Sequence, residues 1–496
     1  MHLNQLTPGS VRPTCSPMRP LPLSGPSVAK SSGRKPILLL ASVIFLVGNL
    51  VCALAHRGAM LIAGRAIQGA GGGGLIILVN ITTISDLFSM RGGGKYFGFI
   101  GMVWATASAT GPVIGGALAE KVSCRWCFYI NLPCHGAAFL VLLLFLKVYN
   151  PRTGILEGLR AIDWVGSLVV IGALLMLLLG LQFGGITHPW DSATIVCLII
   201  FSVIVFVVFF VIEWKVAKYP LIPLRIFKKR AALAALAVPS THGFAFVAAA
   251  YFLPFYFQVG LGASPINSTV WFLPLALVLA LFSIVTGGFI KKTGHYVEFI
   301  VGGLVFATLG FGLFIDLPSY KSWARIVIFQ IIAAVGSGPN FQAPLIAMQT
   351  NVTPADIATG TATFGFTRNF SSAISIVIGG VIIQNRMLSH ADELGKAEIP
   401  QKTINLLAGG TAGSAYVINQ LSDSQRSLIR DAVADSVSGM WIFYACMLFV
   451  GLLASLGIGR TQLSKKHDEH KTGLATEEAN RLAHEKKVVE QEEAGS

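Results

Sequence analysis

The residues of this chain that could do chemistry lie inside long apolar stretches. Arg65 and Gln68 are three apart in Gly64–Gly74, a spacing that puts both on one face of a helix. Arg368 sits about eleven residues into another apolar stretch, or ~16 Å by helical rise, close to the middle of a bilayer. A charge at such depth is costly, so it faces a polar cavity or pairs with an acid; snorkelling to the interface is the plain alternative for Arg65. An arginine keeps its proton, and what it can do is shift the pKa of a nearby carboxylate. His242 lies similarly deep, and an imidazole changes charge near neutral pH. A histidine satisfied by a backbone carbonyl is the commoner case. Arg65, His242 and Arg368 are therefore the proton-coupling candidates. Gln68, Gln258, Asn340, Gln342 and Asn369 could line a cavity and hydrogen-bond a ligand, or serve as polar glue between helices. Asp86 and Asp163 fall at stretch ends and read as gate or capping residues. Core packing accounts for Phe252, Phe255, Tyr256 and Phe257 as well as a ligand would.

Other chemistries find little support. No nucleotide loop, metal-ligand cluster or nucleophile triad stands out, and the Gly71–Gly74 run lies within an apolar stretch where it cannot cradle phosphate. Cys124 and Cys127 form a C-x-x-C, yet only Cys134 and His135 follow, at poor spacing for a metal. No metal and no cofactor are expected, and an enzyme reading fails. The net charge of +14 invites nucleic acid as a partner, but Lys and Arg cluster in short loops, as in a membrane protein. Asn267-Ser268-Thr269 fits the glycosylation sequon in an outer loop. Asn80, Asn351 and Asn369 match it too, but in spans or on the inner side.

The elements that must position these residues are membrane spans. Hydrophobic residues make up 54% of the 496 and charged ones only 12%, against about 25% charged in soluble domains. Apolar stretches recur at 37–55, 61–87, 97–119, 126–147, 164–183, 193–212, 231–257, 267–290, 297–317, 323–349, 357–384 and 437–459, each long enough to cross ~30 Å of hydrocarbon. About twelve spans follow, in an all-α integral membrane bundle. Arg34, Lys35, Arg91, Lys95, Lys147, Arg152, Arg160, Lys215–Arg230, Lys291, Lys292, Arg460, Lys465 and Lys466 all fall on one side, which predicts both termini cytosolic. The organisation read from this is a disordered cytosolic start (1–36) without a signal peptide, four spans (37–147) and a linker (148–163). A helix pair (164–212), a basic linker (213–230), six spans (231–459) with an outer loop at 386–436, and a charged cytosolic tail (460–496) complete it.

Several of these segments resemble one family. Arg65–Gly74 resembles the R-x-x-Q-G-x-G stretch, and Gly111, Pro112, Gly115 and Gly116 the G-P-x-x-G-G antiporter motif, of the fourteen-span fungal drug:proton antiporters of the major facilitator superfamily. Ala107 replaces that motif's leading glycine. Arg125-Trp126 and Phe128–Pro133, Asp163–Gly166, Pro339–Pro344 and Phe366–Asn369 resemble further patterns of that family. The likeness runs from about Gly33 to Gly459. It implies two pseudo-symmetric lobes that rock around a midplane site, with the proton gradient as energy source and no cofactor. It also implies a monomer among membrane lipids, exporting an amphipathic small molecule (a drug, toxin or secondary metabolite) across the plasma membrane, or a vacuolar or vesicle membrane. Arg65 and Arg368 should then face one water-accessible crevice.

The chain also departs from the pattern. The Arg65 motif belongs on the family's fourth helix and here stands on the second span, so the N-terminal lobe reads as incomplete. Of the family's cytosolic loop motif only Gly33-Arg34-Lys35 survives, with Pro26 and Lys30 where glycine and aspartate belong. Two readings stay open: a chain truncated at its start, or a genuinely shortened, transport-inactive relative acting as sensor or scaffold.

Overall fold

The computed structural model describes residues 34–460 apart from 82–95, 97, 104–105, 108–109, 112–113, 116, 119–121, 124, 147–162, 186–187, 218–221, 223, 353–356, 401–402, 405–406, 408–417 and 419–420. Helices α1 (Arg34–Ala53) and α2 (Gly58–Ile81) form a hairpin, and the described residues from 96 to 118 are helical. There follow α3 (Trp126–Tyr129), α4 (Asn131–Phe145), and a second hairpin of α5 (Trp164–Phe183) and α6 (Ala193–Lys215). The remainder is α7 (Arg230–Phe255), α8 (Pro265–Thr293), α9 (Val297–Leu313), α10 (Trp323–Ser337), α11 (Ala343–Asn351), α12 (Ile357–Ser389), α13 (Ala391–Lys396) and α14 (Asp423–Ser455). Strand-like pairing among the described residues amounts to one isolated bridge, Gly184 with His188. Each apolar stretch read from the sequence carries helix.

Among the described residues nine helices are long and apolar enough to cross a membrane, with α10 a shorter apolar one. Only 17% of the apolar stretch of α6 is buried in the fold, and only 6% of that spanning α3 and α4. Helices this apolar, with their backbone bonds satisfied internally and their side chains left outside, have lipid as their solvent.

Local chemistry sets the helix ends. Asp163 caps α5 by accepting from the Gly166 amide at 2.8 Å. Ser264 caps α8, which opens with Pro265 and closes at Gly294 in the left-handed region (φ 80°), where glycine carries no Cβ penalty. The last helix differs from the sequence reading. It starts at Asp423 rather than 437, behind a capping box of Ser422 and Gln425, and α12 and α13 continue to Lys396. Much of the expected outer loop at 386–436 is therefore helix. Its polar turns hide it from a hydropathy scan, while buried Ile429, Ala432 and Val433 anchor it to the core.

Proline breaks two spans. Pro254 ends the regular part of α7, which relaxes into a π turn at Tyr256–Gly260. Pro339 stops α10, and a 3-10 turn at Pro339–Phe341 separates it from α11, as the missing amide requires. The large core lies among α7–α12 and α14, around Trp441, Tyr444, Phe311 and Phe314. The α5–α6 hairpin docks on α12: Phe206 meets Phe370 edge-on at 5.7 Å, and Gln384 donates to the Gly185 carbonyl at 2.7 Å.

Candidate functional site

Small residues bring α1 and α2 together. A Cβ at Gly48 would overlap the Gln68 backbone, one at Gly71 the Phe45 backbone, and one at Gly64 the Cys52 thiol. Backbones this close fix the register of the two helices, and the register aligns their polar residues. Arg65 Nη1 donates to Gln68 Oε1 at 2.7 Å, and Gln68 Nε2 donates to Asn49 Oδ1 at 2.8 Å. Asn49 Nδ2 donates to the Phe45 carbonyl at 3.0 Å. From α4, Asn131 Nδ2 reaches Asn49 Oδ1 at 3.4 Å and the Cys127 carbonyl at 3.2 Å. Asn49 and Gln68 are buried, Arg65 is half-buried, and its guanidinium carbon stands 6.0 Å from the Phe128 ring centre, the outer edge of cation–π range.

A second cluster forms where α7 and α12 meet the break between α10 and α11. Gly243 makes the crossing possible, since a Cβ there would come within 3.2 Å of the Arg368 carbonyl and 3.3 Å of its Cγ. Arg368 Nη1 donates to the Phe341 carbonyl at 3.2 Å, and its guanidinium carbon lies 4.1 Å from the centre of the same residue's ring. His242 is 1% exposed, stacked on Phe246 at 6.1 Å and edge-on to Phe341 at 5.9 Å. Apart from a loose approach of the Ser337 main chain, neither ring nitrogen has a hydrogen-bond partner among the described residues. Two helical turns beyond Arg368, Ser375 Oγ donates to the Phe244 carbonyl and Tyr444 to the Ser375 carbonyl, both at 2.7 Å, so α7, α12 and α14 are tied together.

Arg65 contacts Gln68 and Phe128, and Arg368 contacts Phe341 and lies against Gly243 of α7. The remaining candidates scatter. Asn340 donates to the Gly336 carbonyl at 3.0 Å, four residues earlier in the same span, and its amide lies against Gly303 of α9. Gln258, in the π turn, donates to Ser268 Oγ at 2.9 Å, joining α7 to α8. Gln342 is buried, with its Cγ 3.8 Å from where a Gly101 Cβ would stand; Asn369 is half-buried. In the antiporter motif, Cys127 Sγ reaches the Gly115 carbonyl at 3.6 Å, and a Cβ at Gly111 would meet no described atom within 4 Å. Pro112, Gly116 and Asp86 lie outside the described residues. Asn267 is exposed in the first turn of α8, while the Thr269 hydroxyl of its sequon is buried and bonded to the Pro265 carbonyl at 3.0 Å. Among the described residues no group of three or more His, Cys, Asp or Glu side chains could hold a metal ion.

Sequence reasoning missed Asn49, missed Phe128 and Phe341 as side chains that touch a charge, and missed Asn131 as a partner of Asn49. The last three stand in segments already singled out, Phe128–Pro133 and Pro339–Pro344. Asn49 gave no signal beyond being a lone amide in an apolar stretch.

Comparison with known proteins adds the family. The Major Facilitator Superfamily pattern matches residues 21–376. Efflux pump dotC of Dothistroma septosporum is 49% identical over 446 residues, covering 89% of this chain and 76% of that protein. MFS-type transporter ppz2 of Metarhizium majus is 46% identical over 449 residues, covering 90% and 77%. Efflux pump FUS6 of Gibberella moniliformis is 36% identical over 371 residues, covering 74% and 65%. Of solved structures, the human organic anion transporter MFSD10 aligns with a TM-score of 0.52 at 14% identity, over 89% of this chain and 80% of that one. An auto-inhibited POT family peptide transporter aligns at 0.51 and 11% identity, over 90% and 87%. At such identities the structural likeness speaks to the fold alone.

Proposed function

The chain belongs to the major facilitator superfamily of membrane transporters, and from that premise we propose that it exports an amphipathic small molecule, a drug, toxin or secondary metabolite, by proton antiport. The observation that carries the reading is its 49% identity, over 89% of its length, to a protein named an efflux pump. The polar clusters supply the parts such a pump needs. Alternating access requires a group whose surroundings change as the two halves rock, and charge inside a span is the costly feature that marks such a site. Arg65, held by Gln68 and Asn49, serves as the coupling charge of the first half. Arg368 and His242 serve the second, next to a broken helix that can flex.

The protein is placed in the plasma membrane as a monomer, both termini cytosolic, with a vacuolar or vesicle membrane as second choice. No cofactor takes part; the proton gradient supplies the energy. The test is dye export from cells overexpressing the full chain, using rhodamine 6G, ethidium and carboxyfluorescein so that both ligand charges are sampled. At least one dye should fall in the expressing cells, and a protonophore should restore it. Dye levels that match the empty vector for all three would favour the transport-inactive alternative.

A further inference from the structure

The amide chain behind Arg65 has a direction that its two ends impose. At one end the Phe45 carbonyl can only accept, so Asn49 must present its NH2 there and its oxygen toward Gln68. At the other end a guanidinium can only donate, so Gln68 must turn its oxygen to Arg65 and its NH2 to Asn49. Both requirements agree, and neither amide can flip without setting like against like. Asn131 is oriented by the same logic, because its NH2 also faces the Cys127 carbonyl. Asn49 Oδ1 is thus a single acceptor claimed by two donors on different helices, Gln68 at 2.8 Å on α2 and Asn131 at 3.4 Å on α4.

We propose that Asn49 and Asn131 are positioning residues for Arg65, with the shared Asn49 oxygen tying the direction of the guanidinium to the placement of α4 against the α1–α2 hairpin. The hairpin itself cannot shift, because Gly48, Gly64 and Gly71 leave no room between its helices. The longer Asn131 bond is the contact that yields when α4 moves. The oxygen's two lone pairs accept both donors, but each donation draws density from the other bond, so loss of the Asn131 bond strengthens the Gln68 bond and tightens the hold on Arg65, and its closer approach weakens it. The inference rests on reading Arg65 as a coupling charge.

The test has two arms on the detergent-solubilised and cell-expressed full chain. In the first, phenylglyoxal modification of Arg65 is timed by peptide mass spectrometry, which needs no transport. Removing a buried hydrogen bond of ordinary strength should change the exposure of the guanidinium by about five-fold. Asn49→Leu should therefore speed modification by about that factor, and Asn131→Leu, the milder variant should the first misfold, should slow it. Rates equal to wild type in both variants overturn the proposal. In the second arm, export of whichever dye the wild type moves is measured against pH. Asn131→Leu should displace the pH profile and lower the maximal rate while the half-saturating dye concentration holds. An unmoved profile with only less protein present means a structural role and overturns it too. Should the wild type export no dye, the export reading fails, while the phenylglyoxal rates still decide the role of Asn49.

Discussion

Phe341 holds Arg368 in two ways, by its carbonyl at 3.2 Å and by its ring face at 4.1 Å. Phe341→Leu keeps the carbonyl and removes the ring. The lost cation–π contact is worth about 0.5–2 kcal/mol, so the purified variant should melt earlier and export more slowly, whereas Phe341→Tyr should restore both. A melting point equal to wild type in Phe341→Leu would show that the ring carries none of the hold. Asn340, one residue earlier, tests the other side of the same turn. Its NH2 bonds the Gly336 carbonyl and its side chain fills the space beside Gly303. Asn340→Ala should lower stability by about 1 kcal/mol, read as an earlier melt, and leave the half-saturating dye concentration unchanged; a changed value would instead put Asn340 in the cavity. The sequence showed Arg65 and Gln68 as one face, because i and i+3 meet on any helix. It did not show Asn49, since a partner on a neighbouring helix depends on which residues the crossing brings opposite, and glycines set that crossing.

Helices α9 and α10 pack without space between their backbones. A Cβ at Gly310 would overlap the Ala333 backbone and one at Gly336 the Ala307 backbone, while Gly312, two residues from Gly310, has nothing within 4 Å. Overpacking a tight seam costs about 1–3 kcal/mol or more. Gly310→Val and Gly336→Val should therefore cut the yield of folded protein in fluorescence-detected size exclusion, and Gly312→Val should not. Equal yields for the three would mean that the seam opens readily. At this scale the hydropathy reading overlaps all nine long apolar helices of the described residues, because lipid demands long apolar helices whatever they touch. It misplaced the start of α14, where Asp423, Arg426 and Asp431 break the apolar run and only Ile429 of 423–431 is buried, and it was silent on docking. Nothing in the composition of α5 and α6 says that Phe206 and Phe209 meet a cluster with Phe366 and Phe370 on α12; two uniformly apolar helices carry no periodicity to mark the face that packs.

The two halves of the molecule touch through glycines as well. Gly98 and Gly101, among the helical described residues of 96–118, face Ser283, Ile284 and Gly287 of α8, and a Cβ at Gly98 would stand 3.1 Å from the Ser283 carbonyl and 3.2 Å from the Ile284 Cα. Both segments are near their basic ends there, Lys95 before one and Lys291 and Lys292 closing the other. On the proposed topology those ends are cytosolic, which puts this contact between the halves toward the cytosolic side. Bistable interfaces of this kind switch rather than deform, which makes the seam a place to bias the equilibrium. Gly98→Val puts a branched side chain against the backbone of α8 at Ser283, Ile284 and Gly287. It should push the halves apart, at a cost inside the ~1–3 kcal/mol of overpacking, enough to favour the cytosol-open state about tenfold. A cysteine at position 283 (Ser283→Cys) reports this in inside-out vesicles, where labelling by a membrane-impermeant maleimide, located by mass spectrometry, should be about tenfold faster with Gly98→Val than without it. Labelling no faster than in the Ser283→Cys parent would mean that the seam does not open to the cytosol, and the topology that places it there would have to be reversed.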